Sequence, residues 1–268
     1  MTAPAWLDEL TLEPGPPWLG MGTRTLPADG WLVADADLER DLATKARLLQ
    51  EGHALVFAAL DTVAVADASA ELLALVEAAT GRAGDPSRHP LDAAGRIVQE
   101  DLCLLVERDG AHHLDAASLC FPSYWSLHDK LGHPMAAVHG PVAHYADELA
   151  ARVDTFLARL RPERPVWRRN WSIHDDPTYF LPHATPPYEG HPPEGLWLRS
   201  ERQTLRRLER SGVVVFTIRT QQVPLATLTE RPDVARRMAA AIEAWSPDLR
   251  SYKGDHGALA AAGWLATR

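Results

Sequence analysis

The alternation of apolar and polar positions predicts a mixed set of helices and strands. In "DADLERDLATKARLLQE" the apolar residues Leu38, Leu42, Ala46 and Leu49 fall at spacings of four, four and three. That is one face of a helix, with Asp35 or Asp37 to cap it. "HALVFAAL" is a short apolar run and predicts a strand. "SAELLALVEAAT" predicts a second helix that starts near Ser69 and ends at Gly81. "EDLCLLVERDGAHHLDAASLCF" reads as two strands around Asp109-Gly110, a strong short hairpin signal. In "PVAHYADELAARVDTFLARL", Val142, Leu149, Val153, Phe156, Leu157 and Leu160 share a stripe behind Pro141, which predicts a long helix.

"RPVWRRNWSI" alternates as a strand does. Residues 177–193 hold Pro177, Pro182, Pro186, Pro187, Pro192 and Pro193 and predict a long loop. Strands follow at about 195–204 and 212–220, then helices at 231–244 and 257–266. Residues 1–33 are rich in Pro and Gly and read as an extended arm. The order has no βαβ rhythm and its strands come as hairpin neighbours. It predicts an α+β fold with an antiparallel sheet, in one domain spanning 1–268.

Composition narrows the function. The chain has 268 residues, 46% of them hydrophobic, enough for a sizeable core. A formal net charge of −9 argues against a general nucleic-acid binder. No run of about 18 apolar residues predicts a membrane span. "MTAPAWLDELTLEPGPPW" lacks the pattern of a secretory signal. The only cysteines, Cys103 and Cys120, fit a reducing cytosol. G-x-x-x-x-G-K-[ST], G-x-S-x-G and H-E-x-x-H are absent, and "GMG" at 20–22 fails the dinucleotide pattern.

Two stretches carry candidate chemistry. "SLHDKLGHPMAAVHGPVAHY" holds His128, His133, His139 and His144 at intervals of five, six and five, which fit no zinc pattern. His139 differs from the others, because it joins apolar "PMAAV" to the rigid Gly140-Pro141 turn. A histidine so held can present one ring nitrogen to a metal, as a proximal haem ligand does; the alternative is an ordinary core histidine. Cys103 and Cys120, in apolar strand stretches, are rival thiolate ligands or plain buried thiols.

The second stretch is "LWLRSERQTLRRLERSGVVVFTIRTQQ", with six arginines against two glutamates. Strand alternation puts Trp197, Arg199, Glu201 and Gln203 on one face, and Leu198, Ser200, Arg202 and Thr204 on the other. If the first face is interior, Arg199 can hold an anion and Glu201 an ammonium. The alternative is a surface salt-bridge ladder. Arg206, Arg207 and Arg210 predict a solvated patch or a docking site for an acidic partner.

In "EDLCLLV", "LDAASLCFPSYWSLHDKLG", "AAVHGPVAHYADEL", "RRNWSI", "LRSERQTLRRLERSGVVVFTIRT" and "YKG", together with an early "GMGTRTL…W", the chain resembles the α subunits of haem-dependent oxidative N-demethylases. These words, in this order, cover most of the span from about 18 to 254. The resemblance implies a PAS-like antiparallel sheet flanked by helices and binding b-type haem. It implies oxygen-dependent demethylation of a small secondary amine such as dimethylamine, with release of formaldehyde. Electrons would come from NADPH through a separate flavin and iron–sulfur reductase. It places the iron ligand at His139, in Val138-His139-Gly140-Pro141-Val142, and puts the family's "RSERQ" on Arg199 to Gln203.

On that footing Arg199 or Arg219 would meet the haem propionates, with Arg202 and Gln203 beside them. Trp167, Asn170 and Trp171 would line the haem face. Glu201 would bind the ammonium or relay protons, and Tyr188 would close the site as a lid. Tyr124 stands where the family has Arg, and Glu209 where it commonly has Pro. A haem sensor or carrier without catalysis is the alternative. Either protein would be cytoplasmic.

Overall fold

The computed structural model describes residues 3–12, 22–138, 150–183, 188, 190, 192–247, 249 and 255–268. Its strands are β1 (Arg24–Thr25), β2 (Phe57–Ala59), β3 (Asp101–Arg108), β4 (Ala111–Ser118), β5 (Val166–His174), β6 (Trp197–Arg207) and β7 (Val214–Pro224). They form one sheet in the order β1-β5-β6-β7-β3-β4-β2, with every pair antiparallel. The helices are α1 (Leu38–Glu51), α2 (His53–Val56), α3 (Val63–Thr80), α4 (Pro90–Gly95), α5 (Met135–Val138), α6 (Ala150–Arg159), α7 (Pro232–Glu243) and α8 (Asp255–Leu265). The α+β expectation holds. Among the described residues, no helix is long and apolar enough to cross a membrane.

The sheet is covered on both sides. On its back, Leu102, Leu104 and Val215 pack against α3 and α4, while Trp171, Ile173 and Leu198 pack against α7 and α8. On its front, Cys103, Ala117, Val214 and Ile218 pack against α5 and α6 through Met135, Val153 and Leu157. The β3–β4 hairpin turns at Asp109 (φ 54°) and Gly110 (φ 78°). Two successive positive φ values are what a two-residue primed turn needs, and Asp-Gly supplies them at little cost.

Three local expectations shift. The α3 helix begins at Thr62, whose Oγ1 accepts the Val65 N–H at 3.2 Å; Ser69 is buried inside the helix. The "HALVFAAL" run divides into a helical turn and the edge strand β2. The N-terminal arm is no loose extension where it is described. Leu7, Leu10, Leu12, Leu26 and Trp31 are buried in the two back clusters.

Candidate functional site

On the front of the sheet, β5, β6 and β7 set polar side chains in register. Directly opposed residues of antiparallel strands share a face. Glu201 lies between Asn170 and Thr220, Arg199 between Ser172 and Gln222, and Gln203 between Arg168 and Ile218. Below Gln203 the same face turns apolar. Val166, Leu205 and Phe216 lead there to the cluster that includes Met135 and Val138 of α5. A half-buried polar row therefore meets an apolar platform.

Glu201 is half-buried at the centre of the row. Gln203 Nε2 donates to Glu201 Oε2 at 2.9 Å, and Arg168 Nε donates to Gln203 Oε1 at 2.7 Å. This chain fixes one oxygen of the Glu201 carboxyl from behind. Arg199 is 1% exposed. Its Nη2 donates to Phe121 O (2.7 Å) and Pro122 O (3.3 Å), and its Nη1 to Tyr179 O (3.2 Å) and Thr178 O (3.4 Å). Burial lowers its pKa, against the nearby Glu201 and Asp101 carboxyls. Arg199 thus ties two loops to the sheet, with its terminal nitrogens on carbonyls.

The row is rich in buried polar atoms with no hydrogen-bond partner among the described residues. Arg199 Nε, Thr220 Oγ1, His174 Nδ1 and Gln222 Oε1 are all of this kind. Buried polar groups are satisfied in most proteins, so these four atoms stand out, although the back of the sheet has orphans of its own at Arg219 Nε and Ser118 Oγ. His174 sits where the row ends. Its Nε2 is 2.8 Å from Ser172 Oγ, and burial, then Arg199, push its pKa down to about 3.

The sheet separates residues that the sequence pattern groups together. Arg219 pairs in register with Arg202 on the back, not with Arg199 or Glu201. Arg219 Nη2 meets Asp35 Oδ2 at 2.7 Å and Asp41 Oδ2 at 3.0 Å, so an internal pair of carboxylates already balances it. Arg202, also on the back, donates to Gly30 O at 2.6 Å and lies over the Trp167 ring at 5.0 Å. Trp171 faces back as well; its Nε1 donates to Thr11 O at 3.0 Å and its ring is 5.3 Å from that of Trp245.

Tyr188, expected as a lid, packs against the back cluster with its ring on Gly257. A lid over Glu201 would need the opposite side of the sheet. The solvated-patch expectation also changes at Arg207. Its guanidinium donates to Leu157 O at 2.6 Å and Leu160 O at 2.8 Å, and so closes the C-terminal end of α6.

The front row keeps Arg199, Glu201, Gln203 and Asn170 together. His139 lies outside the described residues, as does His144. The last described residue before His139 is Val138, which packs on the front platform. Cys103 and Cys120 are unlinked and buried. Burial, with Asp101 adding to it, pushes the Cys103 thiol well up; burial raises that of Cys120 to about 12. Neither site favours a thiolate.

Sequence pattern alone did not pick out Arg168, Thr220, Ser172 or His174. For Arg168, Ser172 and His174 the signal lies in the two-residue alternation of "VWRRNWSIH", and for Thr220 in that of "VVFTIRTQQ", but only the register with β6 shows which half faces the row.

Fold and site together define an α+β protein with a polar row beside an apolar platform on one sheet face. The family model for haem-dependent oxidative N-demethylase, alpha subunit-like, matches residues 75–261, more than half of the chain. The chain belongs to this family. The family's name points to a haem-dependent oxidative enzyme, and "alpha subunit" implies a partner subunit.

Proposed function

We propose that this chain binds haem on the front of the sheet and uses O₂ to demethylate a small secondary amine such as dimethylamine. The observation that carries the reading is the junction of the apolar platform with the Glu201 row, beside the helix that leads directly into His139. The residues suit the group. A flat macrocycle with two carboxylates needs an apolar face, polar groups at its edge and one axial ligand. Val166, Leu205, Phe216 and Val138 offer the first, and the buried orphan atoms offer the second. His139 is the proposed ligand, and the sheet with its helices would be the family's PAS-like arrangement.

Bound haem would supply the activation of oxygen, and the protein the placement and charge. Glu201 is the group that receives the amine. A secondary amine is an ammonium at neutral pH, and a carboxylate within hydrogen-bond reach can pair with it and take its proton. Gln203 and Arg168 hold Glu201 in place. Arg168, half-buried in the same row, replaces Arg219 as the cation proposed to meet a haem carboxylate. Each turnover would convert the amine, O₂, two electrons and two protons to the shorter amine, formaldehyde and water. The electrons would come from NADPH through a separate flavin and iron–sulfur reductase, in the cytoplasm.

The test is turnover. Haem-loaded chain, given a competent reductase, NADPH, O₂ and dimethylamine, should release formaldehyde in step with amine consumed. Haem loading without formaldehyde would sink the catalytic reading and leave a haem carrier.

A further inference from the structure

We propose that the end of the sheet at the β6–β7 turn is the docking surface for an acidic partner protein, the donor that brings electrons to the chain. The inference rests on the reading just given, which calls for a separate reductase, and says where that protein lands. Its starting point is the set of cations that this acidic chain leaves unpaired. Arg199, Arg202, Arg207 and Arg219 turn inward onto carbonyls or carboxylates. Six others, Arg24, Arg159, Arg161, Arg164, Arg206 and Arg210, come together at this one end.

Hydrogen bonds hold the six in one rim. Arg207 donates to Leu157 O and Leu160 O at the end of α6, and also to Gly212 O in the β6–β7 turn. It thereby sets Arg159, Arg161 and Arg164, around the connection from α6 to β5, beside Arg210. At the other side of that connection, the Leu26 N–H donates to Pro165 O at 2.9 Å, and Arg24 opposes Trp167. Arg206 follows Leu205, which opposes Val166. The turn is fixed from behind, where the buried Glu71 carboxyl accepts the N–H groups of Arg210 and Ser211 at 2.9 Å each. A surface held in this way loses little freedom on binding.

The rim presents its charge to the outside. Arg24, Arg159, Arg161, Arg164 and Arg210 are exposed, and Arg206 is half-buried. Among the described residues, Arg161 alone of the six has a salt bridge, to Glu163 at 3.9 Å. Glu209 and Asp29 are the other exposed carboxylates on these turns, so six cations stand against three carboxylates in a chain of formal charge −9.

The residue types favour a protein as the occupant. Arg24 lies 5.5 Å from the Trp167 ring centre and Arg206 lies 4.8 Å from that of Trp31. A guanidinium stacked on a ring keeps its edge N–H groups for a carboxylate. Segments 157–165 and 206–213 carry arginine and no lysine. Arginine grips a carboxylate with two N–H groups and is enriched at protein interfaces, where lysine is depleted. Arg159 also lines a shallow hollow on α6 with Thr155 and Phe156, so the cations border an apolar spot.

The position suits an electron donor. Val166 and Leu205, part of the platform proposed for haem, lie at this same end of the sheet, beside Pro165 and Arg206. Electrons cross protein only over short distances, so the donor must land close to the haem.

The test is direct binding. The haem-loaded chain is titrated with the reductase of the turnover assay, read by biolayer interferometry. At about 50 mM and about 300 mM salt, the affinity should differ about tenfold or more, because exposed charges are screened across that range. Arg164→Glu combined with Arg210→Glu should weaken binding about tenfold or more at the lower salt, with haem load and melting temperature unchanged. Arg236→Glu combined with Arg237→Glu is the control. It makes the same charge reversal on the exposed side of α7, which packs behind the far end of the sheet at Ile173 and Leu198. The control should bind as the wild type does. If the rim variant fails to fold, Arg164→Gln combined with Arg210→Gln replaces it. The inference is overturned if the folded rim variant binds as tightly as the wild type, if the control loses as much, or if wild-type binding ignores salt. Tighter binding of duplex DNA or of phosphatidylserine vesicles than of the reductase, at equal salt, overturns it too. Rim-dependent binding without formaldehyde defeats the demethylase reading and leaves the docking surface standing. Formaldehyde release with binding indifferent to the rim defeats the docking surface alone.

Discussion

At the scale of the residue, Arg199 and His174 make opposite predictions. Arg199 spends its terminal nitrogens on backbone carbonyls inside the protein. Truncation leaves those carbonyls buried and unpaired. Arg199→Ala should therefore destabilise the fold by about 3 kcal/mol, read as a lower urea midpoint at unchanged slope. A fall in activity without loss of stability would place Arg199 in the chemistry instead. His174 has a folded pKa pushed below its ordinary value of 6.5, to about 3. The unfolded chain then binds the proton more readily. Stability from this group is complete above about pH 6.5 and is lost as pH falls from there towards about 3. The melting temperature should drop across that window, and His174→Phe should flatten the drop. An unaltered profile in the variant would show that His174 is not the group responsible.

At the scale of the element, the helices and strands were largely legible, and their inward faces were less so. The Asp109-Gly110 hairpin and the alternation of β6 were readable because turn chemistry and a period of two are local properties. The face of α1 was not. The apolar spacing points to Leu42 and Ala46, yet Asp41 and Lys45 are buried. Lys45 Nζ meets Val98 O at 3.0 Å, and Asp41 meets Arg219 and Gln99, partners remote in sequence. Only the assembled sheet reveals such pairs. For the same reason Arg199 and Arg219 read as companions, although the sheet runs between them. Packing between α4 and β4 also makes a prediction. A Cβ on the buried Gly95 would approach Ser118 Oγ closely and lie 2.7 Å from Ser118 Cβ. Gly95→Ala should cost about 1–3 kcal/mol in thermal or urea unfolding. A neutral result would mean that α4 moves freely on the sheet.

At the scale of the whole molecule, the arginine-rich strand pair of this acidic chain answers to internal partners. On the back of the sheet, Arg169 meets Glu9, and Arg219 meets Asp35 and Asp41, carboxylates drawn from the N-terminal part of the chain. On the front, Arg199 secures two loops, and the Arg168–Gln203–Glu201 chain orients one carboxyl group. The back thus pairs its arginines with carboxylates, and the front keeps the half-buried Glu201 carboxyl. Haem on the front face, with iron held by His139, is the central claim. The direct measurement is the absorption spectrum and haem content of the purified chain and of His139→Ala, each after reconstitution. The account predicts a Soret band with about one haem per chain, and a haem load that falls at least tenfold in His139→Ala, as loss of an axial ligand should cause. No Soret band in the wild type, or an unchanged band and load in a folded His139→Ala, would contradict it.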